Sequence, residues 1–281
     1  MTIAIVGLGL IGTSVALAAR RGLPGARLLG VDRPDALLHP AVAGVLDAAG
    51  PDLTLVGEAE VIVLAAPVDA ILQMLPSVGA AARPGALVMD TGSTKRRIVA
   101  EARAAGVRGF VGGHPMAGGA RPGADDARAD LFDGRPWFLV AADGADLARA
   151  AAFVARLGAE PVRQTDGGGA HDRLMAAVSH LPQIAASALL ARVAEAVGPE
   201  GLASAGPGLR DTTRLADSPA ESWTAVLATN RDEIAPLLRA LAADLVRVAD
   251  AATPDALADM FARAREARAG LRAEARRRGV S

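Results

Sequence analysis

The chain has 281 residues, of which 51% are hydrophobic and 2% aromatic, and it contains no cysteine and no tyrosine. Its formal charge of −1 combines 30 basic with 31 acidic residues, and this balance disfavours a nucleic-acid-binding surface. The missing cysteine excludes disulfides, thiolate nucleophiles and cysteine-ligated zinc or iron–sulfur clusters, and we expect no metal site.

The first half of the chain alternates short apolar segments with helical patterns. Continuous apolar strands between helices are typical of a parallel sheet covered on both faces. The pattern therefore predicts an α/β fold whose N-terminal domain, residues 1–165, is a Rossmann-type doubly wound sheet. Strands are predicted at residues 2–6, 27–31, 60–65, 86–89, 109–112 and 137–141, and helices at 10–21, 69–82 and 94–105.

The chain becomes all-helical from residue 166, and we predict a second domain over residues 166–281. Pro182 should kink or split the first helix of this domain. The Ala-rich helices are too apolar to be wholly solvated, which favours a homodimer. Helices are predicted at 166–197, 219–227, 231–249 and 254–277.

Targeting and membrane signals are missing from the pattern. No apolar run reaches the roughly 18–20 residues that cross a bilayer, and the N-terminus begins with a strand pattern instead of a signal peptide. We therefore expect a cytoplasmic protein without a membrane partner. Arginines near the C-terminus are interleaved with Glu266 and Glu274, which favours a solvated helix face over a polyanion-binding tail.

A glycine motif, Gly7-Leu8-Gly9-Leu10-Ile11-Gly12, lies between the first predicted strand and helix. Such glycines let the backbone approach a pyrophosphate, and the helix N-terminus supplies free N–H groups. Asp32 follows Gly12 by twenty residues, where an acid binds the adenosine ribose, so NAD is preferred over NADP. Arg33 beside it leaves dual cofactor use open. Ala65-Ala66-Pro67 is expected to pass close to the adenosine.

Two polar loops should meet at the carboxyl edge of the sheet, where ligands bind. Asp90-Thr91-Gly92-Ser93-Thr94-Lys95 places Ser93 there, although the same residues also fit an ordinary helix cap. The second loop, Gly112-Gly113-His114-Pro115-Met116-Ala117-Gly118, carries one of only four histidines. A histidine among loop glycines is rarely a packed core residue, which favours a functional role for His114.

The helical half contributes two further polar motifs. Ser179-His180-Leu181-Pro182 fits either a half-buried structural histidine or a site residue. Arg210, Asp211 and Arg214 fit either an ion-paired helix start or a carboxylate clamp, since arginine offers a planar fork of donors. A base, a hydroxyl and a guanidinium together indicate dehydrogenation of an anionic alcohol.

These motifs, in this order and at this spacing, resemble the prephenate/arogenate dehydrogenase family of tyrosine biosynthesis. The resemblance implies an N-terminal Rossmann domain and a helical domain that forms a homodimer. It also implies NAD-dependent oxidative decarboxylation of prephenate to 4-hydroxyphenylpyruvate, or of arogenate to tyrosine.

The same resemblance implies roles for individual residues. His114 would accept the proton of the ring hydroxyl, and Ser93 would orient that hydroxyl beside the nicotinamide. Arg214, supported by Asp211, would bind a substrate carboxylate. His180 and Trp223 would line the pocket, whereas His39 and His171 fall outside the motifs and are expected to be incidental.

Two positions depart from the family pattern and leave the substrate open. Gln183 replaces a second histidine common after the Ser-His-Leu-Pro motif, and Gly119-Ala120-Arg121 lacks an expected acid. Both positions bear on recognition of the pyruvyl or alanyl side chain, so prephenate, arogenate or dual specificity are all compatible with the sequence.

Two more distant alternatives use other residues. β-Hydroxyacid dehydrogenases and imine reductases need a lysine or a different hydroxyl in the helical half, and that half contains no lysine. A non-catalytic NAD-sensing module would not need His114, Ser93 and Arg214 together.

Overall fold

The computed structural model describes residues 1–118, 123–141, 146–251 and 253–277. Eight of its segments form one sheet, in the order β3-β2-β1-β4-β5-β6-β7-β8. The strands are β1 (Thr2–Val6), β2 (Arg27–Val31), β3 (Ala48–Gly50), β4 (Val61–Leu64), β5 (Leu87–Asp90), β6 (Phe110–Pro115), β7 (Pro136–Ala141) and β8 (Glu160–Gln164).

The strand directions confirm the predicted Rossmann-type sheet over its first six strands, which are all parallel. The sheet departs from the parallel arrangement at one edge. There β7 runs antiparallel to β6, and β8 runs parallel to β7. The carboxyl ends of β1, β2, β4, β5 and β6 therefore meet at one edge, and the candidate site residues follow these ends.

Helices cover both faces of the sheet, because successive side chains of β1 enter two different cores. Ile3 and Ile5 belong to the core that contains α1 and α5 residues. Ala4 and Val6 belong to the core that contains α3 and α4 residues. The helices of this part are α1 (Leu10–Gly22), α2 (Pro34–Leu37), α3 (Val68–Ala81), α4 (Arg96–Ala104) and α5 (Leu147–Arg156).

The rest of the described chain is helical. Near Pro182, where a kink or split is predicted, the chain stays helical but widens into a π-helical turn over Ala176–His180 between α6 and α7. Proline lacks the N–H of a regular helical turn, which accounts for the wider turn before it. The predicted gap between two later helices appears as a break at Asn230 (φ −134°, ψ 21°) within α9. These helices are α6 (Gly169–Met175), α7 (Leu181–Ala203), α8 (Pro207–Thr213), α9 (Ala220–Asp250) and α10 (Asp255–Arg277).

The chain divides into two compact units, Met1–Arg231 and Asp232–Ser281. The first unit contains the whole sheet together with the helices from α6 to the break in α9. This division differs from the predicted boundary after residue 165, between an α/β domain and an all-helical domain, which stays a prediction.

One described helical stretch, Gly169–Ala203, is long and apolar enough by composition to cross a membrane, with 28% of its apolar window buried. A single such helix is weak evidence for a membrane span, because core helices of soluble proteins also meet this criterion of length and composition. Leu174, Val178, Leu189 and Val197 on this stretch are exposed. Exposed apolar groups of this size are typical of a surface that another surface covers.

Candidate active site

The glycine loop after β1 requires glycine at two positions. Gly7 has φ +94°, and a Cβ there would lie 2.5 Å from the carbonyl oxygen of Ala65. A Cβ on Gly12 would lie 1.8 Å from the carbonyl oxygen of Gly7. These close approaches place Ala65-Ala66-Pro67, which follows β4, directly against the loop.

Gly9 and the start of α1 leave room for a ligand. A Cβ on Gly9 would meet no atom within 4 Å. The first turn of α1 has no side-chain cap and no acidic residue, so no protein carboxylate competes for its N–H groups. Free N–H groups at the positive end of a helix attract phosphate oxygens. The loop residues Gly7 to Gly12 therefore fit the pyrophosphate of a dinucleotide.

Asp32 lies directly after β2 and contacts this loop. Its carboxylate accepts the Leu8 N–H at 2.5 Å and the Arg33 N–H at 2.7 Å. The neighbouring Arg33 side chain is 80% exposed and lies 3.6 Å from Asp35. Asp32 thus has a fixed position beside the loop, as a ribose-binding acid requires, while Arg33 extends into solvent.

Asp90, at the end of β5, joins the two polar loops predicted to meet. Its carboxylate accepts the Gly92 N–H at 2.8 Å and the Gly113 N–H at 2.9 Å, and it also accepts from the Lys95 ammonium. Gly113 can approach this closely only because it has no Cβ. A Cβ at this position would lie 2.3 Å from the Asp90 carbonyl oxygen. The loop that carries Ser93 and the strand that carries His114 are therefore held together.

Lys95 is the only lysine in the chain, and its side chain is fully buried. Burial lowers the pKa of Lys95, whereas the adjacent Asp90 carboxylate acts in the opposite direction. Its ammonium is a positive group close enough to His114 to affect that residue's pKa.

His114 is half-buried at the carboxyl end of β6. Its Nδ1 lies 2.9 Å from Nε2 of His171. The Nε2 atom of His114 itself has no hydrogen-bond partner within the described part of the chain. Burial, followed by the proximity of His171, Lys95 and His180, holds the pKa of His114 well below 6.5. The imidazole is therefore neutral at pH 7 and can accept a proton.

His171, which lies outside the sequence motifs and is predicted to be incidental, contacts His114 in the structure. It is fully buried, and its Nδ1 lies 2.8 Å from the carboxylate of Asp172. That carboxylate also accepts the backbone N–H groups of Lys95 at 2.7 Å and Arg96 at 3.0 Å. Burial alone would raise the pKa of Asp172, but these hydrogen bonds lower it, and the carboxylate stays ionised.

His180 is also buried in this region, at the end of the π-helical turn. Its Nδ1 lies 3.3 Å from Nδ2 of Asn230, and its ring packs edge-on against Trp223 with centroids 5.8 Å apart. Burial lowers the pKa of His180 to about 4. Its Nε2 is buried and has no partner among the described residues, and neither has Oδ1 of Asn230.

The other predicted residues have mixed surroundings. Ser93 is half-buried in the loop between β5 and α4, without a hydrogen bond to another described residue. Arg214 and Asp211 are exposed and form no ion pair with each other in the described structure. Arg214 lines an open cleft of about 300 Å³ beside α7 and α8.

Gln183 is buried and fully engaged inside the protein. Its amide donates to the Leu215 carbonyl oxygen at 2.6 Å, and its oxygen accepts the Ser218 hydroxyl at 3.3 Å. These contacts hold the turn after Arg214 against α7. Of the second departure from the family pattern, residues 119–121 lie outside the described residues.

Sequence reasoning missed His171, Asp172 and Asn230. The available signal was a histidine directly before an aspartate at a helix start, in a chain with only four histidines. Asn230 had no such signal, because its role depends on a break in α9.

The low pKa of His114 predicts the pH dependence of any reaction in which it is the base. Neutral His114 is the active form, so activity should be lost only as the pH falls through its lowered pKa. We expect kcat/KM to vary less than about twofold between roughly pH 6.5 and 8. An initial-rate pH series checks this, and an acid limb with its midpoint at or above about pH 6.5 would contradict it.

Comparison with known families finds two adjoining matches. A family model described as prephenate dehydrogenase, nucleotide-binding domain, matches residues 15–162. A second model, prephenate dehydrogenase, dimerization domain, matches residues 168–264.

Individual relatives agree with these matches. Prephenate dehydrogenase of Bacillus subtilis is 33% identical over 83% of this chain, and the match covers 65% of that relative, so the chain spans less than two thirds of it. Cyclohexadienyl dehydrogenase of Zymomonas mobilis is 30% identical over 97% of this chain and 96% of its own length. The crystal structure of Synechocystis arogenate dehydrogenase is 31% identical, with a TM-score of 0.78 over 96% of this chain and all of that one.

Proposed function

This chain belongs to the prephenate dehydrogenase family, and we propose that it catalyses NAD-dependent oxidative decarboxylation of prephenate to 4-hydroxyphenylpyruvate. The observation that carries the proposal is His114, a neutral imidazole with one nitrogen held by a buried histidine and the other unpaired. His114 lies at the carboxyl end of β6, at the sheet edge where the glycine loop follows β1. Base and dinucleotide loop thus share one edge.

The chain's residues would assist each bond change. His114 Nε2 takes the proton of the ring hydroxyl while the hydroxyl carbon becomes a carbonyl carbon. NAD, when bound, supplies the hydride acceptor for that carbon. The ring carboxylate then leaves as carbon dioxide, its bonding electrons aromatise the ring, and the former carbonyl oxygen takes back the proton from His114 to become a phenol. Ser93 would orient the hydroxyl toward His114, since its own hydroxyl has no protein partner among the described residues.

His180 and Trp223 would line the substrate pocket. With its Nδ1 facing a donor, the buried His180 presents an N–H at Nε2 that has no acceptor in the described structure. An unsatisfied buried donor is costly, and a substrate oxygen would satisfy it. Trp223 packs on the same ring and fixes its plane.

Asp32 is proposed to bind the adenosine ribose and to select NAD. Asp32→Asn keeps an oxygen for the Leu8 N–H but removes the charge that repels a 2′-phosphate. We expect KM for NAD to rise about tenfold and KM for NADP to fall. Asp35→Asn, a change of the same kind at an exposed neighbour, is the control. Unchanged KM values for both cofactors would refute the ribose contact.

Arg214, which lines the open cleft beside α7 and α8, is proposed to bind a substrate carboxylate. The support expected from Asp211 is not seen, because the two side chains form no ion pair in the described structure. Arg214→Gln should raise KM for the substrate roughly 10- to 100-fold and leave kcat within about threefold, because the contact is made equally in ground and transition states. Arg192→Gln, at an exposed arginine of α7, is the control. A fall in kcat at constant KM would assign Arg214 a different role.

Arogenate, alone or with prephenate, is the alternative substrate. It is favoured by the similarity to an arogenate dehydrogenase and to a cyclohexadienyl dehydrogenase. Gln183 does not decide between the two substrates, because its side chain is already bound to Leu215 and Ser218. Comparing kcat/KM for prephenate and arogenate decides between the two, and failure with both would refute the proposal.

We also propose a cytoplasmic homodimer formed through the helical part. The match to a dimerization domain and the exposed apolar residues of Gly169–Ala203 support it. Light scattering of the purified 28.4 kDa chain should give twice this mass, and Leu189→Glu should weaken the dimer. A monomer at micromolar concentration would contradict the proposal.

A further inference from the structure

Asp172 lies at a junction between the two buried histidine systems of the candidate site. Its carboxylate binds His171, which contacts His114. Its main-chain carbonyl oxygen accepts a hydrogen bond from Nδ2 of Asn230 at 2.8 Å, and the same amide nitrogen faces His180. One residue therefore reaches both imidazoles through different groups.

The first branch determines which nitrogen of His114 carries a proton. An ionised carboxylate only accepts hydrogen bonds, so His171 must donate to Asp172 from Nδ1. Burial lowers the pKa of His171, so the ring is neutral and its Nε2 is an acceptor. His114 must then donate from Nδ1 to that nitrogen, which leaves the lone pair on its own Nε2.

The second branch places the proton of His180 on the other ring nitrogen, Nε2. The carbonyl oxygen of Asp172 only accepts, so the Asn230 atom bound to it must be the NH₂ group. That NH₂ group faces Nδ1 of His180, so Nδ1 is the acceptor. A neutral imidazole with an accepting Nδ1 carries its proton on Nε2.

We propose that Asp172 is a positioning residue that sets His114 and His180 in opposite tautomers, one ready to accept a proton and the other ready to donate a hydrogen bond. The catalytic part of this inference rests on the proposed function. A substrate that meets both rings would lose a proton to His114 Nε2 and place an oxygen against the His180 Nε2–H. Neither tautomer is intrinsic to the ring. Nε2 of His171 can only accept a hydrogen bond from His114, and the NH₂ group of Asn230 can only donate one to His180.

The charged groups around this system preserve the arrangement. Lys95 and Asp90 form a buried ion pair, and Lys95 disfavours protonation of both His114 and His171. The N–H groups of Lys95 and Arg96 keep the Asp172 carboxylate ionised from the start of α4. The Asp172 carboxylate acts to raise the pKa of His180, but the burial of His180 lowers that pKa by more.

The tautomers can be read directly, because the chain has only four histidines. In ¹⁵N spectra of the imidazole rings of the full-length protein near neutral pH, His114 should show a protonated Nδ1 and a bare Nε2. His180 should show the reverse. Finding His114 with its proton on Nε2, or His180 with its proton on Nδ1, would overturn the inference.

Two substitutions at His171 separate positioning from packing. His171→Asn can still bond Asp172 but places no acceptor near His114, whereas His171→Gln extends far enough to place its amide oxygen there. We expect His171→Asn to lower kcat about 10²-fold with KM values within about threefold, and to give His114 a mixed-tautomer spectrum. The kcat of His171→Gln should be at least about tenfold higher than the kcat of His171→Asn. His39→Asn, the same change at a histidine paired with Asp125, should be neutral.

The outcomes distinguish the inference from the proposed function. The spectra need no substrate, so an inactive wild-type protein with the expected tautomers refutes only the function. Equal kcat values for His171→Asn and the wild type, or no recovery in His171→Gln, refute the positioning role. If His171→Asn does not fold, the wild-type spectrum and the glutamine variant still decide.

Discussion

His114→Asn should lower kcat for the proposed oxidation about 10³-fold and leave KM for NAD and substrate within about threefold. Asparagine fits the space but has no nitrogen that can take up the hydroxyl proton. The loss appears in kcat because proton transfer occurs in the transition state, while substrate binding uses other residues. Initial-rate kinetics over both substrates measure this directly.

The matched control is His39→Asn, an identical change at the histidine that contacts Asp125. It should leave both parameters within about twofold. If His114→Asn instead raised KM with kcat unchanged, His114 would be a binding residue and the base would lie elsewhere.

Two alanine substitutions in the glycine loop should fail in different ways. Gly12→Ala forces a Cβ to within 1.8 Å of the Gly7 carbonyl oxygen, so the loop must move away from α1. We expect a loss of about 2–3 kcal/mol in the free energy of unfolding, comparable to overpacking a core. For a chain of this size that lowers Tm by roughly 4–10 °C.

Gly9→Ala should instead leave Tm within about 2 °C, because its Cβ meets no protein atom within 4 Å and its φ of −75° suits alanine. Its methyl group would enter the space in which we propose that the pyrophosphate binds, so KM for NAD should rise at least about tenfold. Thermal melts and NAD titrations of both variants measure the two effects. Equal NAD affinity in Gly9→Ala and the wild type would contradict the proposed cofactor position.

The sheet was predictable wherever apolar strands are continuous. β1 and β2 begin and end at the predicted residues, because their side chains are buried on both faces. β8 was missed because it is an edge strand with mostly exposed residues and an internal proline, Pro161. β3 was missed because three small residues carry no periodic signal. Its pairing depends on β2, which a local pattern does not contain.

The candidate site was predictable where backbone geometry demands a residue type. The glycine loop and the His114 loop stand out in the sequence because their glycines permit close backbone contacts. The His171–Asp172–Asn230 connections do not, because they join residues up to 58 positions apart through side chains. Gln183 illustrates the converse, since a position read as substrate-binding is occupied with internal hydrogen bonds.

The most direct test of the central claim is NADH formation by the purified protein with prephenate and, separately, with arogenate. We expect NAD-dependent NADH formation with one carbon dioxide released per turnover, a higher kcat/KM for prephenate, and loss of the signal in His114→Asn. No NADH from either substrate, or equal activity in His114→Asn, would contradict it.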